Sequence, residues 1–284
     1  MFIQIMCLVF SLCTWCFWRL RCRMPNWRPG HRSLLVIAHP DDESLFFANY
    51  ISSAARAGVQ VYVLCLSTGN ADGLGHTRVH ELYRACATLQ IPKARISVVD
   101  DPDLQDGFRT WGIPAVCKHL TAAIRSIQPH QLVTFDSRGV SGHPNHTSIY
   151  RAVRHLIEAQ RACASGASGD GSSGREPCRV YTLVTLPLPI KFTGLLGVLL
   201  SAAALPSGRS SSGGGDSRGS SSGGGAGDLV FLARDPSLCF RALCCHWSQL
   251  VWYRLLFVLF STYTYANQLR LTGQLQLDLV TADR

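Results

Sequence analysis

Apolar residues in this chain come in short blocks whose period switches back and forth. "SLLVIA" (33–38) is a continuous apolar run of strand length, and "VQVYVLCL" (59–66), "RISVVD" (95–100), "QLVTFD" (131–136) and "RVYTLVT" (179–185) are runs of the same kind, rich in β-branched residues. Helical spacing fills the gaps: 45–58, ending at Gly58; 77–91, with Val79, Leu82, Tyr83, Cys86 and Leu89 on one face; 113–127; and 146–160. Strands alternating with helices in this way predict parallel βαβ units. The expected fold is α/β: a Rossmann-like, doubly wound, mostly parallel sheet with helices on both faces. Ligands in such sheets bind beyond the carboxyl ends of the strands.

Three kinds of segment break the rhythm. Residues 1–18 carry no charge and would make roughly 27 Å of helix, close to the thickness of a bilayer's hydrocarbon core. A cleaved signal peptide is the competing reading, but no basic residue precedes the segment and no small-residue cleavage site follows it. Arg19, Arg21, Arg23, Arg28 and Arg32 come after it, so the positive-inside rule favours a membrane anchor (1–23), a basic linker (24–32) and a cytoplasm-facing domain (33–284). Ser/Gly-rich insertions at 165–175 and 207–227 cannot bury apolar area and are expected to be disordered. The apolar stretch 192–206 is short for a span, and 247–265 is aromatic-rich with Arg254 at its middle, which favours a core or interfacial position over a crossing.

Composition narrows the class. With 47% apolar residues in 284, the chain can build a real core. Its net charge of +9 rests mainly on arginine and comes with no nucleic-acid-binding motif, which points to a membrane surface and not to DNA or RNA. The cysteines sit within apolar stretches and read as small buried hydrophobes in a reducing compartment; a secreted, disulfide-rich protein would instead show few free thiols.

"VIAHPDDESL" (36–45) carries the chemistry. Capping of a helix start explains one acid, or two, at Asp41, Asp42 and Glu43, since free N–H groups and the helix dipole favour negative charge there. It does not explain His39, nor three acids together. A divalent cation does, because it neutralises carboxylates and takes neutral imidazole as ligand. His39 and Asp42 can face one point, with Asp41 beside it. "GVSGHPNHTSIY" (139–150) again follows a strand and opens a helix, and places His143 and His146 three apart. His39, Asp42 and one of this pair would form a three-ligand site with an open position, the arrangement of a catalytic zinc, or of Fe²⁺.

"AHPDDE" (38–43) followed by "HPNH" (143–146) resembles the LmbE-like zinc deacetylases. "STGNADGLG" (67–75) with Arg78 and Glu81, "VVDDPDLQDG" (98–107), "TFDSRGVSGHPNH" (134–146) and "SQLVWYR" (248–254) resemble, more narrowly, the eukaryotic N-acetylglucosaminyl-phosphatidylinositol de-N-acetylases of the PIG-L deacetylase family. The likeness spans about residues 33–160 and a C-terminal piece.

The resemblance implies a metal-dependent N-deacetylase. Its substrate would be that glycolipid, at the endoplasmic reticulum membrane, in the second step of GPI-anchor biosynthesis. It implies zinc held by His39, Asp42 and His146, with Asp41 as general base. His143, protonated, would stabilise the oxyanion or act as acid. Arg78 is a candidate for substrate phosphate or sugar, or else an ion pair with Glu81. Asp101, Asp103 and Asp106 are candidates for sugar hydroxyls, or else turn residues. Glu43 either supports His39 or favours the helix start. His31, His76, His80, His119, His130, His155 and His246 read as ordinary. Two alternatives stand beside this one: a deacetylase of a soluble amino-sugar conjugate, and a catalytically inactive membrane-bound assembly protein.

Overall fold

A computed structural model describes residues 27–166, 176–204 and 228–277, together with positions 11, 14 and 25. Nearly all of the expected anchor and of the Ser/Gly insertions lies outside the described residues. Among the described residues, no helix is long and apolar enough to cross a membrane.

The parallel strands form where the apolar runs are. β1 (Arg32–Ile37), β2 (Gln60–Cys65), β3 (Ile96–Val98), β4 (Gln131–Phe135) and β5 (Cys178–Leu183) pair in the order β3-β2-β1-β4-β5, all parallel. Leu34, Leu35, Val36 and Ile37 are fully buried, as a central strand covered on both faces requires. Two strands were not foreseen. β7 (Ala266–Leu275) adds antiparallel to β5, and β6 (Leu229–Leu232) antiparallel to β7, which completes a seven-stranded mixed sheet.

The helices follow the sequence pattern with one instructive break. α1 (Asp42–Phe46) and α2 (Ala48–Arg56) occupy the stretch read as one helix, separated at Phe47, so the acidic cluster has a short helix of its own. α3 (Gly75–Thr88), α4 (Ile113–Ile127) and α5 (Pro144–Gly166) match the remaining periodic segments. α4 and α5 pack together on one face of the sheet, while α2 and α3 meet α7 (Ser237–Leu243) on the other. The stretch 192–206 yields α6 (Gly194–Ala204). The stretch 247–265 is not one element: α8 (Trp252–Phe260) lies between a turn at Trp247–Gln249 and a buried turn at Thr262–Thr264. Cys65, Cys86, Cys178 and Cys239 are free and buried, and burial pushes each thiol pKa up, as expected of cysteines packed as hydrophobes.

This topology fixes where a site can form. β1 is followed by a crossover to β2 on one side, while β4 flanks it on the other, so the crevice between the carboxyl ends of β1 and β4 is the switch point of the sheet. His39 follows β1, and His143 and His146 follow β4. The buried turn before β7 braces the neighbouring strand end: the Tyr263 hydroxyl accepts from Leu186 N at 2.9 Å and donates to Val184 O at 3.0 Å. Replacing it by Phe strands a buried donor and an acceptor. Tyr263→Phe is expected to lower unfolding free energy by about 1–3 kcal/mol, read as a shifted urea midpoint at unchanged slope.

Candidate active site

Asp42 closes the turn after β1. Its Oδ2 accepts from the backbone N–H of Ala38 at 3.0 Å and of His39 at 2.9 Å, and its Oδ1 lies 3.2 Å from His146 Nε2. Burial alone would raise its pKa; the charges and hydrogen bonds of His146 and His39 outweigh this and hold the carboxyl well below the usual range.

The hydrogen bonds around the imidazoles set their tautomers. His146 Nδ1 lies 3.0 Å from Gly139 O and so carries the hydrogen, which leaves Nε2 as a buried lone pair with no hydrogen-bond partner. The ring is held flat against Phe135, centroids 3.9 Å apart and planes 4° from parallel. His39 Nε2 lies 3.0 Å from Asn145 Oδ1 and 3.1 Å from Asp106 Oδ1. Asn145 Nδ2 donates to Arg109 O at 2.8 Å, which turns the amide oxygen toward His39. The Nε2 hydrogen is therefore fixed, and Nδ1, 3.9 Å from Asp42 Oδ2, is the lone pair facing the centre. His39, His143 and His146 each place a ring nitrogen within 4.8 Å of the others, the metal-capable cluster found among the described residues.

The donors fit a divalent cation. Two imidazole lone pairs, each with its other nitrogen hydrogen-bonded, converge on a carboxylate, which is how metal-binding histidines are held. Burial would lower the His39 pKa, but the hydrogen bond to Asp106 and the charges of Asp42, Asp106 and Asp41 raise it. Groups that draw a proton so strongly into a buried position also favour a cation there. His143 differs. Its Nδ1 accepts from Asn145 N at 3.3 Å, so a neutral ring keeps its hydrogen on Nε2. Burial and the neighbouring His39 and His146 lower its pKa to about 4. That shift runs against the protonated form expected of His143 and favours the neutral ring as an N–H donor.

Asp41 sits beside these groups in a strained backbone conformation, φ 135°. Glu43 holds it there: its Oε2 accepts from Asp41 N at 3.1 Å, while its Oε1 lies 2.7 Å from His246 Nε2 and accepts from Ser44 Oγ at 2.6 Å. Asp41 Oδ2 is paired with Arg254 Nη1 and lies 3.4 Å from Arg78 Nη2. Asp41 Oδ1 has no partner among the described residues.

Several side chains sit differently from their sequence readings. Arg78 does not pair with Glu81; it binds Asp106 Oδ2 at 2.9 Å, Gly69 O at 2.8 Å and Pro40 O at 3.1 Å beneath the site. Glu81 instead accepts from Ser248 N and Oγ. The carboxylate of Asp101 is directed away, to His119 at 2.8 Å and Lys118 at 3.3 Å, and the His119 hydrogen bond leads the effects that lower its pKa to about 2. Asp106 is the acid of that loop that reaches the site. Arg254 and His246 were not read as site residues. Each lies inside an apolar stretch, and an ionisable residue in such a setting is the signal that marks a buried partner.

The sheet, the switch-point crevice and the histidine–carboxylate donors define an α/β protein with a site suited to a divalent cation. Residues 34–157 match the family model described as PIG-L, GlcNAc-PI de-N-acetylase. The chain is 34% identical to the N-acetylglucosaminyl-phosphatidylinositol de-N-acetylase of Bos taurus over 250 residues, 84% of this chain and 83% of that one. It is 45% identical to the probable enzyme of that name from Schizosaccharomyces pombe over 128 residues, 44% of this chain and about half (52%) of that relative's length. Among solved structures it resembles a deacetylase of the teicoplanin biosynthetic pathway, with TM-score 0.53 and 16% identity over 84% of this chain and 97% of that one. The chain belongs to the PIG-L family of N-acetylglucosaminyl-phosphatidylinositol de-N-acetylases.

Asn145→Ala is expected to weaken divalent-metal binding about 10–100-fold by removing one of the two acceptors that orient His39. Competition with a chromophoric chelator measures this. Asp101→Asn, which touches none of the donors, is expected to leave the affinity unchanged.

Proposed function

We propose that this chain hydrolyses the acetamide of N-acetylglucosaminyl-phosphatidylinositol, giving glucosaminyl-phosphatidylinositol and acetate in the second step of GPI-anchor biosynthesis. The proposed setting is the endoplasmic reticulum membrane, with residues 1–23 as a single-pass anchor and the domain facing the cytoplasm. The carrying observation is the convergence of the His39 and His146 lone pairs on Asp42, with Asp41 alongside.

His39, Asp42 and His146 would hold the cation, zinc by preference, with Fe²⁺ as the alternative. When bound, it acidifies water and polarises a carbonyl. The rest falls to side chains. Arg254 and Arg78 engage Asp41 Oδ2, so Oδ1 is the oxygen that takes a proton as water attacks the acetamide carbon. His143 donates its Nε2–H to the oxygen that becomes negative. Because His143 is neutral, the proton for the departing amine comes from Asp41, which returns the one it took. The C–N bond breaks, and acetate and free amine result. Arg78, deep and already engaged, would position Asp41 and Asp106, and any contact with the substrate phosphate or sugar would be made at its edge. Asp101 would bear on the substrate only from the outer part of its loop.

The test is release of free amine from the glycolipid by detergent-solubilised protein, run beside a water-soluble amino-sugar conjugate. Chelator is expected to abolish release and zinc to restore it, and Asp41→Asn to lower it about 10²–10⁴-fold. Folded, zinc-loaded wild type that leaves the glycolipid intact would sink this substrate, and turnover of the soluble conjugate alone would replace it.

His143→Ala is expected to lower kcat about 10²–10³-fold. With its pKa lowered to about 4, His143 has already lost its proton by pH 5, so the variant keeps the wild-type shape of the pH–rate profile between pH 5 and 8. An acidic limb in that window that disappears with His143 would contradict the neutral-donor role.

A further inference from the structure

One face of the domain is apolar and uncovered. Leu195, Leu196 and Leu200 of α6 are exposed, Leu195 at 64%. So are Trp252, Tyr253, Leu256, Leu259 and Phe260 of α8, Trp252 at 72%. The two helices form one continuous surface. Phe192, just before α6, packs edge-on to Phe257 of α8, and the start of α6 at Gly194 lies against the carbonyls of Leu259 and Phe260. A contiguous exposed apolar face of this kind marks an interaction site.

A groove in this face borders the active site. Phe192, Leu256, Phe257 and Phe260 line it, and Arg254 and Phe46 close its inner end. Phe46 packs against Phe257 on one side and His146 on the other, so a single ring separates the groove from the donor cluster. Arg254 binds Asp41 through Nη1 alone, and its other nitrogens donate to nothing among the described residues.

We propose that this face docks on the bilayer that carries the substrate, with α6 and α8 lying in the interface and Arg254 meeting the phosphate layer. The proposal rests on the glycolipid reading above, which puts the reacting amide within a headgroup of a membrane surface. Charge selects the occupant: residues 186–204 and 246–265 contain no Asp or Glu, and, with Lys191 buried and engaged by Val140 O, Arg254 is the Lys or Arg of these segments that borders the groove. An apolar face with a cationic inner end matches anionic phospholipid. Trp and Tyr at the start of α8 are the residues of bilayer interfaces, with an apolar body and a polar tip. At nine residues α8 spans about 14 Å, too short to cross, so it lies on the membrane. This contact is separate from the expected anchor at 1–23, and it would turn the mouth of the site toward the lipid.

The test uses the full chain on phosphatidylcholine vesicles containing phosphatidylinositol, with and without brominated acyl chains. The emission of Trp252 is taken as wild type minus Trp252→Phe. Docking is expected to quench it by brominated lipid, and a variant combining Leu195→Gln, Leu196→Gln and Leu259→Gln is expected to lose the quenching while the chain stays vesicle-bound through residues 1–23. These side chains are exposed, so the fold should tolerate the changes; if that variant fails to fold, the wild-type quenching decides alone. Trp252 emission indifferent to brominated lipid overturns the proposal, whether Trp252 remains open to aqueous acrylamide or is shielded by another segment or a second copy. Deacetylation plays no part in this readout. Quenching without turnover refutes the glycolipid reading, and turnover without quenching refutes the docking.

Discussion

Asp41, Asp42 and Asp106 bring three carboxylates together at the ends of β1 and of the loop after β3, all largely removed from water. Buried charge of one sign is tolerated only when it is paired and hydrogen-bonded. Arg78 is the main compensation: one buried guanidinium reaches Asp41, Asp106 and the carbonyls of Gly69 and Pro40. Room for it is built into the chain. Gly69 has φ 71°, and a Cβ there would lie 2.5 Å from the guanidinium carbon, so any other residue would be strained and would push Arg78 from its place. Arg254, paired with Asp41, and the imidazoles supply the remaining compensation, the latter as a proton on His39 or as a cation in its place.

Two strained residues flank these charges, and each is held by contacts from a different part of the chain. Asp41 is fixed through Glu43, which His246 secures from 203 residues away. Val140, β-branched and at φ 63°, receives a hydrogen bond from Lys191 to its carbonyl and donates its own N–H to Thr185. Asp136 ties Thr185 back to the turn that follows β4. Each such residue costs about 1–3 kcal/mol unless its surroundings impose it. Strain beside His39 and His143 is consistent with a turn shaped to place donors, not merely to connect a strand to a helix.

The parallel half of the fold was legible because its strands are buried on both faces and its helices have clear periodicity. The antiparallel half was not, although its signal exists: Leu269, Leu271, Leu275 and Leu277 alternate with polar residues at period two, with Gly273 between them. Gly273 sits against Ile157 of α5, which masked the alternation at its centre. The histidines and Asp42 were legible because residues three apart at a helix start share a face. The pairing of Arg78 with Asp106 was not, because it depends on how the loop after β3 folds over α3. Arg254 and His246 were hidden for another reason: in an apolar stretch, an ion partner and a membrane argument look alike until Asp41 and Glu43 are seen opposite them.

The division of labour along the chain follows from this. The segment matched by the family model, 34–157, contains His39, Asp41, Asp42, Arg78, Asp106, His143 and His146, so the whole donor set and its first compensating cation come from the parallel sheet. What lies beyond it supplies Arg254, His246 and the apolar groove, carried by the chain that wraps around β7. The bovine relative extends over both parts, whereas the fission-yeast match covers a length close to the first alone. A donor set fixed by charge compensation tolerates little change, because each replacement strands a buried partner. An apolar surface tolerates exchange of one hydrophobe for another, so long as its area and its cationic end persist.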